Sequence, residues 1–254
     1  MSEKNISKFE ALAKKKKKTK RRANKKYKDR LPNELIHIKN PDKQDHEKWG
    51  KTRNIASFPR PFRMILAGGV NAGKTNTCKN VILRQKWSHI YLVHVDKRST
   101  EWDDFDIPEE NRFDDIPPLT SLEHDGASCI IIEDYEFPTK SKLGNLSKLF
   151  RFASTHMNIS VFLIYQDFLR IPTICRRLCN IYCIWKMPDK NQLNMIGKRV
   201  GLEKGEMFEM LNHLCPENRD FICFDMTANS PWPIRKNLFI PVKKVNVICD
   251  DDEE

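Results

Sequence analysis

Residues 64–75 read MILAGGVNAGKT: four apolar residues run straight into Gly68-Gly69, and Gly73-Lys74-Thr75 closes the stretch. The spacing from Gly68 through four intervening residues to Gly73-Lys74-Thr75 is the pattern of a phosphate-binding loop set between a strand and a helix. Glycines let the backbone N–H groups of such a loop turn inward and approach phosphate oxygens where a β-carbon would clash. On this reading Gly68, Gly69, Val70, Asn71, Ala72 and Gly73, with Lys74, Thr75 and Asn76, cradle a nucleotide triphosphate, ATP in the first instance. Lys74 reaches the β- and γ-phosphates, and Thr75 offers its hydroxyl to Mg²⁺ at the positive end of a helix dipole. Three of the nine glycines sit in this loop. A glycine turn that merely joins a strand to a helix is the competing reading of the same residues.

The segments around the loop supply the context it requires. Residues 62–67 read as a strand and 74–85 as the helix that follows the loop. Apolar runs at 89–95, 129–134, 159–165 and 181–185 have strand length, and helical spacing falls at 141–155, 172–178, 189–199 and 203–214. Residues 96–126 form a polar, proline-containing stretch, and two more strands are expected at 220–226 and 237–241. Strands apolar on both faces that alternate with helices imply a parallel sheet covered on both sides. The fold class expected is therefore α/β, a P-loop NTPase of the ASCE or RecA-like kind, with a mainly parallel central sheet flanked by helices and a C-terminal strand pair.

Ligands of open parallel sheets collect at the carboxyl ends of the strands. Glu133 and Asp134 close the 129–134 run after apolar residues, the arrangement of a Walker B site. One carboxylate would organise Mg²⁺ and the next orient or deprotonate the attacking water. Read this way, Glu133 shares the metal with Thr75, Asp134 is the base, and Glu136 is its rival in an alternative register. An acidic turn after a buried strand is the plainer alternative. Gln166 ends the next strand, where an amide can contact both the γ-phosphate and the lytic water. Phosphoryl transfer also calls for a cation on the departing phosphate, for which Arg151, Arg170, Arg176 and Arg177 are available.

The net charge of +11 has one location. Residues 1–30 carry 14 Lys and Arg against three acidic residues, and the rest of the chain, 31 basic against 31 acidic, is neutral. Such an arm, poor in apolar residues, is expected to be disordered on its own, and it suits a clamp on nucleic-acid phosphates, a nuclear-import signal or a solubilising tail. The expected organisation is a basic arm (1–30), a lead-in (31–61), the nucleotide-binding domain (62–244) and an acidic tail (245–254). No apolar run reaches the length of a membrane span and no signal peptide is read, so the eight cysteines are expected as free thiols in a reducing compartment. Cys175, Cys179 and Cys183 lack a paired C-x-x-C knuckle and read as small core residues rather than zinc ligands.

The stretch from Asn158 to Asn180, NISVFLIYQDFLRIPTICRRLCN, resembles the region after the Walker B strand in viral DNA-packaging ATPases of the FtsK-HerA lineage, of poxvirus, virophage and Polinton type. The resemblance takes in the GGVNAGKT loop, the IIIED strand and the WKMPDKNQL segment, about residues 60–200. It implies a ring ATPase that hydrolyses ATP with Mg²⁺ to move double-stranded DNA into a capsid, with a capsid or portal component as partner. Its implied place is inside an infected host cell, in the nucleus or a cytoplasmic virus factory, or in the virion. Within it Lys74, Glu133, Asp134 and Gln166 take catalytic roles, Gln166 couples hydrolysis to motion, and Arg151, Arg176 or Arg177 acts in a neighbouring subunit. Two positions depart from the family pattern: Glu133-Asp134 stands where Asp-Asp or Asp-Glu is usual, and Thr155 stands before His156 where an Arg is frequent. A P-loop nucleoside or nucleotide kinase and a non-enzymatic DNA-binding virion protein are the alternatives.

Overall fold

The computed structural model describes residues 56, 58–96, 99–123, 125–137, 143–227 and 230–242. The basic arm, the lead-in up to residue 55 and the acidic tail lie outside the described residues. Nine strands form a single sheet: β1 (Arg63–Ala67), β2 (His89–His94), β3 (Arg112–Phe113), β4 (Ser128–Glu133), β5 (Ile159–Tyr165), β6 (Ile181–Trp185), β7 (Phe221–Asp225), β8 (Ile234–Lys236) and β9 (Ile240–Pro241), in the order β3-β2-β4-β5-β1-β6-β7-β8-β9. The first six are parallel and the last three antiparallel. The strand that feeds the glycine loop, β1, is thus separated by β5 from the acidic strand β4.

The helices are α1 (Lys74–Ile82), α2 (Gly144–Lys148), α3 (Ser154–His156), α4 (Thr173–Leu178), α5 (Lys190–Val200) and α6 (Glu206–Leu214). Alternation along the strands divides the core in two. Ile130 and Ile132 of β4 pack with Ile65 and Ala67 of β1 on the face covered by residues such as Phe150, Ile196 and Leu211. Cys129 and Ile131 pack with Met64 and Leu66 on the other face, against Cys78, Val81 and Ile82 of α1 and the aromatic pair Trp102 and Phe105. Side chains of successive strand residues point to opposite faces, so two strands with apolar residues at every position bury both sides at once.

The structure differs from the sequence expectation in four places. Helix α1 stops at Ile82 rather than Gln85. The helix expected at 141–155 is described from Gly144 and contains a π turn, Leu149–Ala153, whose Phe150 carbonyl accepts a hydrogen bond from the Arg63 guanidinium at 3.3 Å. The polar stretch 96–126 holds short 3₁₀ turns and β3, and it sends Trp102 wholly into the core. The C-terminal pair is three strands, because the chain bends again after Lys236. Cys175 and Cys179 belong to one core face and Cys183 to the other, so they do not converge on a metal.

The antiparallel extension is fastened by a buried ion pair. Arg235 on β8 and Asp225 at the end of β7 are both fully enclosed, and Asp225 also accepts from Ser230 at 2.8 Å and from the Thr227 N–H at 3.0 Å. The Arg235 guanidinium lies over the Phe58 ring at 4.5 Å. Removing one partner of such a pair leaves an uncompensated charge in the core, at about 3–5 kcal/mol. Asp225→Ala is expected to lower the unfolding free energy by that amount in urea titrations followed by tryptophan fluorescence.

Candidate active site

Ala67, Glu133 and Tyr165 end three neighbouring strands at one level of the sheet, with Ala67 opposite Tyr165 and Glu133 opposite Ile164. The loop 68–73 leaves this edge, and its glycines serve different ends. A β-carbon on Gly68 would lie 2.6 Å from Cβ of Trp185 on β6, so this position is glycine for strand packing rather than for approach to a phosphate. Gly73 has φ +95° and Asn71 φ 58°, conformations open to glycine and tolerated by asparagine. Gly73 starts α1 without a side-chain cap, and the first turn carries no acidic residue. The first N–H groups of α1 therefore have no internal acidic partner, the condition under which a helix N-terminus attracts an anion.

Two side chains of this loop and helix meet the end of β4. Thr75 donates its hydroxyl to Oε1 of Glu133 at 2.5 Å, and Trp102 donates its indole N–H to Oε2 at 2.7 Å. Glu133 is only 3% exposed. Burial raises its pKa, and the hydrogen bonds from Thr75 and Trp102 pull it back down. Lys74 donates its ammonium to the Gly69 carbonyl at 2.7 Å and forms no ion pair with Glu133. Burial lowers the Lys74 pKa, opposed by the nearby charges of Asp134, Glu133 and Glu101. A buried carboxylate beside a hydroxyl, with the nearest ammonium bonded elsewhere, is a hard-oxygen donor set suited to Mg²⁺.

Beside the loop opens a cavity of about 620 Å³, within the range of small-molecule sites. Asn71 to Thr77 form one end of it, and Arg219, Asn237 and Phe239 line it from the antiparallel extension. A second cavity, of about 720 Å³, holds the exposed residues Asp134, Glu136, Gln166 and Arg170. Asp134 turns the chain there at φ 47°. The structure thus brings Lys74, Thr75 and Glu133 together, and gathers Asp134, its rival Glu136 and Gln166 in the second cavity, apart from the residues that line the loop cavity. Arg151 lies exposed in the π turn, Arg176 donates to Thr173 at 3.2 Å, and neither these nor Arg177 lines the loop cavity.

Sequence reasoning missed Trp102 and Arg219. A buried indole needs an acceptor for its N–H, so a tryptophan within the polar stretch TEWDDF, between two strands that end at the site, was the available signal. Arg219 had no such signal; only the return of β7 beside β6 carries it to the loop.

Fold and loop together give an α/β fold of the P-loop NTPase kind. No family model matches the chain and no curated protein does. Among solved structures it is similar to the genome-packaging NTPase B204 of Sulfolobus turreted icosahedral virus 2 in complex with sulfate, at 17% identity over 72% of this chain and 98% of that one, TM-score 0.53. It is also similar to the DNA-packaging ATPase B204 of Sulfolobus turreted icosahedral virus, at 16% identity over 72% and 100%, TM-score 0.54. The complex of the former with ATP-γS matches at 17% identity over 72% and 98%, TM-score 0.54. At these identities the likeness is one of fold.

The raised pKa of Glu133 has a consequence for stability. A carboxyl group whose folded pKa lies above its unfolded value favours the folded state while protonated, and that contribution is lost as pH rises through the folded pKa. Glu133→Gln, which keeps the shape, still accepts from the Trp102 indole and can turn its amide N–H to donate to the Thr75 hydroxyl, is expected to denature at higher urea concentration than wild type at neutral pH. The two midpoints are expected to converge at acidic pH.

Proposed function

We propose that this protein is an ATP-hydrolysing DNA translocase that packages a viral double-stranded DNA genome into a capsid. The observation that carries the reading is the Thr75–Glu133 hydrogen bond at the mouth of the glycine loop. It supports a site in which loop and acidic strand serve one ligand, on a fold similar to that of genome-packaging NTPases.

In this site the N–H groups of the loop and of α1 bind the phosphates, and Lys74 leaves the Gly69 carbonyl for the β- and γ-phosphate oxygens. Thr75 and Glu133 would hold Mg²⁺, which, when bound, offsets negative charge on the phosphates. Trp102 fixes the second oxygen of Glu133, so that the carboxylate keeps one orientation. Asp134, with Glu136 as alternative, accepts a proton from the attacking water, and Gln166 beside it senses whether the γ-phosphate is present. An arginine acting on a neighbouring subunit of a ring, Arg151, Arg176 or Arg177, offsets charge on the departing phosphate. The basic residues 1–30 contact DNA, the acidic tail 245–254 competes with it, and a capsid or portal component anchors the ring. Among the described residues no helix is long and apolar enough to cross a membrane, and the setting is the infected host cell or its virions.

Wild-type protein is expected to release phosphate from ATP at a rate that rises on adding double-stranded DNA. Lys74→Ala should lower that rate by at least about a hundredfold, the scale on which charge stabilisation of a transition state acts. A wild-type rate equal to that of Lys74→Ala refutes a motor. Deleting residues 1–30 is expected to weaken DNA binding and flatten its dependence on salt, measured by fluorescence anisotropy of labelled duplex at several ionic strengths. Unchanged affinity at low salt refutes the role of the arm.

A further inference from the structure

The loop cavity has an end that phosphate binding does not use. Its far wall is the bend between β8 and β9, where Asn237 (φ 50°) and Leu238 (φ 65°) both adopt left-handed backbone conformations. A leucine there is strained. The strain is held by burial of the Leu238 side chain, 2% exposed, and by Asn237, whose N–H donates to the Phe221 carbonyl at 3.1 Å. The bend leaves Phe239 on the cavity wall, 42% exposed. The Arg84 guanidinium, at the end of α1, lies 4.8 Å from its ring centroid. An apolar ring kept at the surface of a polar cavity, backed by a cation, offers a face on which a flat aromatic ligand stacks.

Two amide side chains near that ring are hydrogen-bonded within the protein. Asn237 accepts from the Phe221 N–H at 3.0 Å and donates to Asp220 at 2.6 Å. Asn80 donates to the Asn76 carbonyl at 2.9 Å and accepts from Arg84 at 2.9 Å. Glu101 belongs to the phosphate end, where its charge acts on Lys74 and Glu133. Arg219 lines the cavity with an exposed guanidinium that only donates. The cavity therefore offers a base an apolar face on Phe239 beside the exposed donors of Arg219.

We infer that Phe239 is the nucleobase platform of the site, and that it holds the base of a nucleoside triphosphate by stacking. This rests on the nucleotide reading above.

Calorimetric titration of the full-length protein with Mg²⁺ and ATP, GTP or inorganic tripolyphosphate tests it. Wild type is expected to bind ATP and GTP as well as tripolyphosphate. Phe239→Ala should weaken both by about tenfold and leave tripolyphosphate affinity unchanged, which also shows the variant to be folded. Phe239→Leu, which keeps apolar bulk at the bend, should show most of the same loss, and Phe239→Trp should restore binding. Full ATP affinity in either the Ala or the Leu variant overturns the inference while tripolyphosphate binding still upholds the phosphate loop. Wild-type protein that binds neither ATP nor tripolyphosphate refutes the loop reading and the base platform with it.

Discussion

A carboxylate taken out of water is costly unless donors or cations face it. Glu133 is nearly sealed, and what faces it are the Thr75 hydroxyl and the Trp102 indole. Those two contacts tie together three parts of the chain distant in sequence: the first turn of α1, the turn after β2 and the end of β4. Hydrogen bonds to a charged group contribute about 1.5–3 kcal/mol each, which offsets only part of the desolvation of a buried ion. The remainder is a standing cost in the free protein that a divalent cation at the same oxygens would remove.

The sheet order makes this meeting possible. With β5 between β1 and β4, the loop after β1 does not touch the acidic strand through backbone pairing and has to reach across by a side chain. Helix α1 does so by starting at Lys74, which sets Thr75 in its first turn directly over β4. Gly68 belongs to the same construction: by admitting Trp185 of β6 against its α-carbon, it lets the loop leave the sheet at the required level.

Much of this was legible in the sequence, and the failures share a cause. β5 and β6 were read to the residue, and β1, β2 and β4 to within a residue or so at each end, because each is a mainly apolar run that ends at polar or glycine residues. The loop and the Glu133-Asp134 pair were found because their chemistry is local. Trp102, Arg219 and Phe239 were not, since each reaches the cavity through tertiary return of a segment with no periodicity of its own. The reason given for Gly68 also changed, because the neighbour that excludes a β-carbon lies 117 residues further along the chain. For adjacent acids in an apolar strand, sequence alone left open which one turns toward the helix; alternation sends Glu133 to the face of α1 and leaves Asp134 and Glu136 in the next cavity.

We propose Thr75 and Glu133 as joint ligands of a nucleotide-bound divalent cation. Electron paramagnetic resonance of Mn²⁺, added with a non-hydrolysable ATP analogue, measures this directly by the loss of free-ion signal on binding. Wild-type protein is expected to take up one Mn²⁺ per chain only when the nucleotide is present, and Thr75→Val and Glu133→Ala to take up far less at the same concentrations. Equal uptake by wild type and both variants would contradict the account.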